Sequence, residues 1–200
     1  MNNIKLGRGE RALVVVAHPD DETIWMGGVL LSNPEVRWTI FSLSRASDKD
    51  RAPKFRKVCK LYGAECIFTD LDDEGQLGGI EATRAAEACL RDGLAGKEFD
   101  CLFTHGENGE YGHPLHIITH KAVNNVLKKS FLNVKKVFYF DYRKKENNII
   151  SGKNPDFIVD LSKDEFFEKK RIVSEMYGYP IDGIDVGYCN NQELFKLLKK

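Results

Sequence analysis

Two kinds of apolar spacing alternate along the chain. Leu13 to Ala17 is an unbroken Val-rich run, the pattern of a strand buried on both faces. Ile24–Ser32 follows at helical spacing and stops at Asn33-Pro34. Val36–Leu43 alternates apolar and polar residues and predicts a second strand. Pro53–Tyr62 predicts a helix, with Pro53 in its first turn and Gly63 at its stop. Cys66–Thr69 is strand-like, and Glu81–Leu94 is an Ala-rich helix ending near Gly96. Phe99–Thr104 predicts a strand, Pro114–Lys129 a helix, Val137–Tyr142 and Asp156–Leu161 two more strands. Lys163–Tyr177 predicts a long helix and Asn191–Lys199 a short one closing the chain. The polar stretch Arg143–Asn154 reads as a solvated connection in preference to a flap over a site.

Strands alternating with helices imply βαβ units. The expected fold is α/β and Rossmann-like, a largely parallel sheet with helices on both faces. The 200 residues suit one domain spanning 1–200. Ligands in such sheets bind beyond the carboxyl ends of the strands, which directs attention to the residues after Ala17, Leu43, Thr69, Thr104 and Tyr142.

Composition narrows the partners. Lys plus Arg number 30 and Asp plus Glu number 30, so no net charge draws the chain to nucleic acid or an anionic membrane. No apolar run approaches the roughly 20 residues of a membrane span. The first residues lack the apolar stretch of a secretory signal. Five cysteines without a CxxC pair read as reduced thiols, and the expected location is cytoplasmic. A homo-oligomer stays open.

The chemistry gathers at two strand ends. After the first strand comes Ala17-His18-Pro19-Asp20-Asp21-Glu22. An imidazole and a carboxylate three residues on suit zinc or another divalent transition metal, and a further carboxylate beside a metal is a natural general base. The competing reading makes Asp20 or Asp21 a helix cap, with Glu22 favoured by the helix dipole. After the fourth strand comes Thr104-His105-Gly106-Glu107-Asn108-Gly109-Glu110-Tyr111-Gly112-His113-Pro114-Leu115-His116. Four of the five histidines, His18, His105, His113 and His116, lie at these two places, and His120 follows one turn later. That clustering points to a shared site. Three protein ligands with an open position is the catalytic zinc pattern.

The runs AHPDDE at 17–22 and GEYGHPLH at 109–116 resemble the LmbE-like, or GlcNAc-phosphatidylinositol de-N-acetylase, superfamily. The resemblance implies that His18, Asp21 and His116 ligate zinc and that Asp20 is the general base toward the attacking water. It implies that His113 stabilises the tetrahedral intermediate and assists the leaving amine, while Tyr111 contacts the oxyanion. Many members carry Asp where this chain has Leu115, which cannot orient the neighbouring histidines through a carboxylate. Substrate contacts are expected from Arg51, Arg45, Asp73, Glu74 and His105. The segment Gly178-Tyr179-Pro180 departs from the family and implies a different substrate rim. For a lipid-linked substrate the apolar rim candidates are Trp25, Trp38, Tyr179 and Ile181, with core packing the preferred role for both tryptophans.

The implied function is a zinc-dependent removal of N-acetyl from an N-acetylglucosamine-type small-molecule conjugate. Two alternatives stand beside it. One is a family member that binds zinc without catalysis or cleaves another amide. The other is a nucleotide-binding Rossmann protein, disfavoured because no G-x-G-x-x-G follows the first strand.

Overall fold

The computed structural model describes residues 4–146, 148–152 and 154–198. Strands β1 (Arg11–Val16), β2 (Arg37–Ser42), β3 (Glu65–Phe68), β4 (Phe99–Thr104) and β5 (Val134–Phe140) are parallel neighbours. Strands β6 (Tyr142–Lys145) and β7 (Asn148–Ser151) form a separate hairpin. Strand β9 (Gln192–Leu197) pairs antiparallel with both β5 and β8 (Phe157–Asp160). The main sheet thus runs β3-β2-β1-β4-β5-β9-β8.

Period-two alternation on β1 explains its unbroken apolar run. Ala12, Val14 and Val16 enter one core, and Leu13, Val15 and Ala17 enter the other. The first core is covered by α1 (Asp21–Ser32), α2 (Arg51–Leu61) and α6 (Lys163–Arg171) with the π-helical turn Ile172–Met176 that continues it. The second is covered by α3 (Gly79–Gly93) and α5 (Pro114–Lys128), which supply Ala86, Leu90, Ala122, Val123 and Val126. Between them lies a sheet buried on both sides, as the sequence predicts. No helix among the described residues is long and apolar enough to cross a membrane. All five cysteines are free thiols.

Three expectations change. The closing segment 191–199 is not a helix: residues 192–197 form β9, and Lys199 lies outside the described residues. The Leu194 and Leu197 spacing looks helical only while Glu193 is counted as a surface residue. Glu193 is fully buried, so the segment is apolar-lined as a central strand. Its Oε1 and Oε2 accept the amides of Gly28 and Val29 at 2.7 Å each, and Lys169 Nζ donates to Oε1 at 2.7 Å. Those amides are free because α1 breaks at Met26 (φ −148°, ψ 22°), so Glu193 caps the second half of a kinked helix. Gly28 has no room for a side chain there, since a Cβ would meet Leu161 Cδ2 at 2.1 Å.

The predicted helix over 163–177 starts with a Ser162–Glu165 capping box and then widens into the π-helical turn. The extra residue re-aims Tyr177, whose hydroxyl donates to buried Glu22 at 2.7 Å. The stretch 143–154 contains β7 and most of β6, with residues 147 and 153 outside the described set.

Two short helices remain, α4 (Gly109–Gly112) and α7 (Ile184–Tyr188). Strand order reverses between β1 and β4, and the loops leaving their carboxyl ends open a crevice. The AHPDDE segment leaves β1, and the His-rich segment leaves β4.

Candidate metal centre and active site

The crevice is a cavity of about 250 Å³ lined by His18, Asp20, Asp21, Tyr111 and His113 on the motif side. Arg45, Arg51, Tyr179, Asp185 and Tyr188 line the remaining wall. Three of these surroundings are conformationally costly. Asp20 (φ 128°), Arg45 (φ 69°) and, just beneath the cavity, Glu110 (φ 56°) all hold positive φ without being glycine.

Asp21 is the hub. Its Oδ2 accepts from the His18 amide at 2.9 Å and lies 3.1 Å from His18 Nδ1. Its Oδ1 accepts from Trp25 Nε1 at 2.9 Å and lies 3.3 Å from His116 Nε2. Burial works against its ionisation, but His116 outweighs this and holds the carboxyl well below its ordinary range. Asp20 is driven the other way, raised by burial and then by Asp21. Its Oδ2 accepts from Arg51 Nη1 at 2.9 Å and from the Tyr179 hydroxyl. Glu22, the third acid of the run, faces inward, accepting from Thr23 and Tyr177.

Hydrogen-bond accounting sorts the histidines. His105 is fully buried, and its Nε2 accepts the Ala17 amide at 3.0 Å. Its proton therefore sits on Nδ1, which donates to Glu110 Oε2 at 2.8 Å. Both nitrogens are spent, so His105 is neither free to ligate nor able to touch a substrate, although it lies 3.6 Å from Asp21. His113 uses Nδ1 to accept the Leu115 amide at 3.3 Å, capping α5, and so presents Nε2–H as a donor. Burial first, then His116 and His18, lower its pKa to about 4, which keeps the ring neutral. His116 donates Nδ1–H to Glu110 Oε2 at 2.6 Å, and its buried Nε2 has no hydrogen-bond partner.

An orphaned buried imidazole nitrogen facing a carboxylate is what a metal site offers. His18, His113 and His116 offer ligand atoms mutually within 4.8 Å, as do Asp21, His105 and His116. Removing the two histidines whose lone pairs are spent leaves His18, Asp21 and His116 as the set able to hold a divalent cation. Asp21 and Glu110 raise the His116 pKa to about 10 against burial, so the position draws positive charge, and a divalent cation bound at Nε2 would displace the proton there.

Glu110 is the residue that sequence reasoning missed. Its Oε2 serves both His105 and His116, and its Oε1 accepts the Gly106 amide at 2.8 Å. Burial alone would raise it; the two imidazoles bring it down to about 2. It performs the orienting role that Leu115 cannot, since Leu115 is buried in the core beneath α5. The signal was an acid six residues before His116, inside the second motif. Trp25, read as core, is buried and also orients Asp21 through its indole N–H.

Of the expected substrate contacts, Arg51 and Arg45 line the cavity. Asp73 is turned away, accepting from Arg45 Nε at 2.6 Å, and with Glu74 it lines a separate shallow cleft. Trp38 is core, and Ile181 is exposed at 68%.

No curated protein matches the chain in sequence. Among solved structures, the 4-carboxy-2-hydroxymuconate hydratase of Pseudomonas putida superposes with TM-score 0.65 at 14% identity, covering 96% of this chain and 97% of that one. The N,N'-diacetylchitobiose deacetylase of Pyrococcus horikoshii gives 0.64 at 17% identity, covering 94% and 84%. An antimicrobial pseudoaglycone deacetylase gives 0.62 at 13% identity, covering 86% and 82%. At these identities the likeness is one of fold. The family model of the GlcNAc-PI de-N-acetylases matches residues 13–127, more than half of the chain and both His-bearing motifs, and this protein therefore belongs to the PIG-L family.

Proposed function

We propose that this protein is a zinc-dependent N-deacetylase acting on an N-acetylglucosamine-type conjugate. The observation that carries the reading is the unpartnered, buried Nε2 of His116, 3.3 Å from Asp21, which itself lines the cavity with His18, Asp20 and His113. Family membership and two deacetylases among the fold neighbours support it.

His18, Asp21 and His116 would hold the metal. When bound, zinc supplies Lewis acidity, making a water more acidic and the amide carbonyl more electrophilic. Asp20 then takes a proton from the attacking water as oxygen adds to the carbonyl carbon. Its raised pKa suits a group that must accept that proton and return it. Neutral His113 donates a hydrogen bond from Nε2 to the developing oxyanion, and the Tyr111 hydroxyl, on the same wall, adds a second. The C–N bond breaks as the amine nitrogen takes the proton from Asp20, leaving acetic acid and the amine, which separate as acetate and ammonium once the acid's proton passes to the amine. Arg51 and Tyr179 fix one oxygen of Asp20 and leave the other for the water.

The test is acetate release by zinc-loaded protein. The panel is free N-acetylglucosamine, its UDP, malate and inositol-phospholipid conjugates, and diacetylchitobiose. Release from one member, lowered by roughly 10²–10⁴ in Asp20→Ala with zinc retained, is the expected result. Undiminished turnover in zinc-loaded Asp20→Ala removes Asp20 from the base role. Silence across the panel with zinc bound rejects this substrate class.

A further inference from the structure

The family match ends at residue 127, yet Tyr179, Asp185 and Tyr188 line the same cavity. The motif side, with Arg45 and Arg51, lies within the matched residues; Tyr179, Asp185 and Tyr188 lie beyond them. The wall they form hangs on the short helix α7. Val186 is buried in the first core and anchors the helix, while Asp185 and Tyr188, three residues apart, share the face turned to the cavity. The Tyr188 ring stacks on Trp25 at 6.1 Å with planes 25° apart, and lies 5.0 Å from the Tyr111 ring. Two tyrosine rings backed by an indole thus form a fixed aromatic corner.

Asp185 differs from every other acid around the cavity. Asp20 and Asp21 each accept from at least two donors. Asp185 is half-buried, and among the described residues only its own backbone amide is found to donate to its carboxylate. Burial raises its pKa against its own amide and Arg51, which lower it. The Arg51 guanidinium, cationic and committed on one nitrogen to Asp20, lines the same cavity. An acceptor-only group, a five-donor group and a flat aromatic face around one small cavity define a ligand with hydroxyls on its edge and C–H groups on its face.

We infer that Asp185 is the specificity-determining residue for a pyranose head group, accepting hydrogen bonds from its hydroxyls while the ring lies against Tyr188. This rests on the deacetylase reading and adds to it the recognition that selects the substrate. A substrate without hydroxyls gains nothing from Asp185, and a substrate cation is not needed to satisfy it.

The experiment compares two acetamides in zinc-loaded wild type, Asp185→Asn and Asp185→Ala. One is N-acetylglucosamine, and the other is N-cyclohexylacetamide, which keeps the ring and amide and lacks hydroxyls. For the sugar, Asp185→Ala should raise KM by roughly 10- to 100-fold, the scale of hydrogen bonds to a charged group, with Asp185→Asn between. The loss for the hydroxyl-free amide should be at least tenfold smaller. Equal losses on both, or no loss on the sugar, overturn the assignment. If the wild type hydrolyses neither, saturation-transfer NMR of N-acetylglucosamine decides the two readings separately. Binding by wild type that weakens at least tenfold in Asp185→Ala upholds Asp185 and rejects the chemistry. Binding that is absent or independent of Asp185 rejects Asp185 as well.

Discussion

Two carboxylates, Glu110 and Glu193, are both completely enclosed, and each serves three donors. Glu193 takes two backbone amides of the broken α1 and the ammonium of Lys169, itself fully buried. Glu110 takes one backbone amide and the Nδ1–H groups of two histidines. The difference lies in what the partners do with their other end. Lys169 otherwise donates only to the Asn190 carbonyl at 3.4 Å, so that cluster joins β9, α6 and α1 and reaches no ligand position. Each imidazole has a second nitrogen: that of His105 holds the Ala17 amide, and that of His116 faces Asp21, which lines the cavity. Burial and hydrogen bonding look alike in both places; only the second cluster transmits its order to a ligand position.

Substitution should separate them, and the largest effect belongs to Glu193. Glu193→Ala leaves a buried ammonium unpaired and two helix amides exposed to an apolar core. A loss of about 3–5 kcal/mol in denaturant unfolding is expected, with zinc affinity of the folded fraction unaltered. The double change Glu193→Leu with Lys169→Met should recover much of that loss, because replacing a whole buried pair is often neutral. A loss below roughly 1 kcal/mol in the single variant would show that water reaches the cluster.

Metal comes next. Zinc at about 100 times its dissociation constant should stabilise the wild type by about 2.7 kcal/mol, read as a shift of the unfolding midpoint. Glu110→Ala should weaken zinc binding by roughly 10- to 100-fold in competition with a chromogenic chelator, and Glu110→Gln by less. Affinity untouched in Glu110→Ala would make its cluster as purely structural as that of Glu193. The smallest effect is placed on the Asp20 partner at the rim. Tyr179→Phe removes one hydrogen bond to a carboxylate and should lower turnover by roughly tenfold without changing bound zinc. Coincident loss of zinc would mean that the rim and the histidine floor are a single unit.

How much was legible follows from where each partner lies in the chain. The parallel half of the sheet is legible because β1, β2 and β4 bury mostly apolar residues, with only the uncharged Thr39, Ser42 and Thr104 among them. The antiparallel half is not, since β9 carries a buried Glu whose neutralising Lys lies 24 residues away. The chemistry at His18, Asp21, His113 and His116 shows because those residues sit together in two short motifs. Glu110 lies inside the second motif and was legible in principle. Asp185 and Tyr188 belong to no pattern: α7 is five residues long and its role depends on packing against Trp25 and Tyr111.

By itself, then, the sequence determined the alternation of strands and helices through the parallel half of the sheet and the two strand ends where metal-binding side chains collect. These follow from spacing over a few residues, where chain geometry and hydrophobicity suffice. Only the tertiary structure decided which imidazole keeps a free lone pair, which acid orients it, and which wall closes the cavity. A lone pair is free or spent according to donors that can come from anywhere in the chain. The Ala17 amide reaches His105 across 88 residues, and Tyr179 reaches Asp20 across 159.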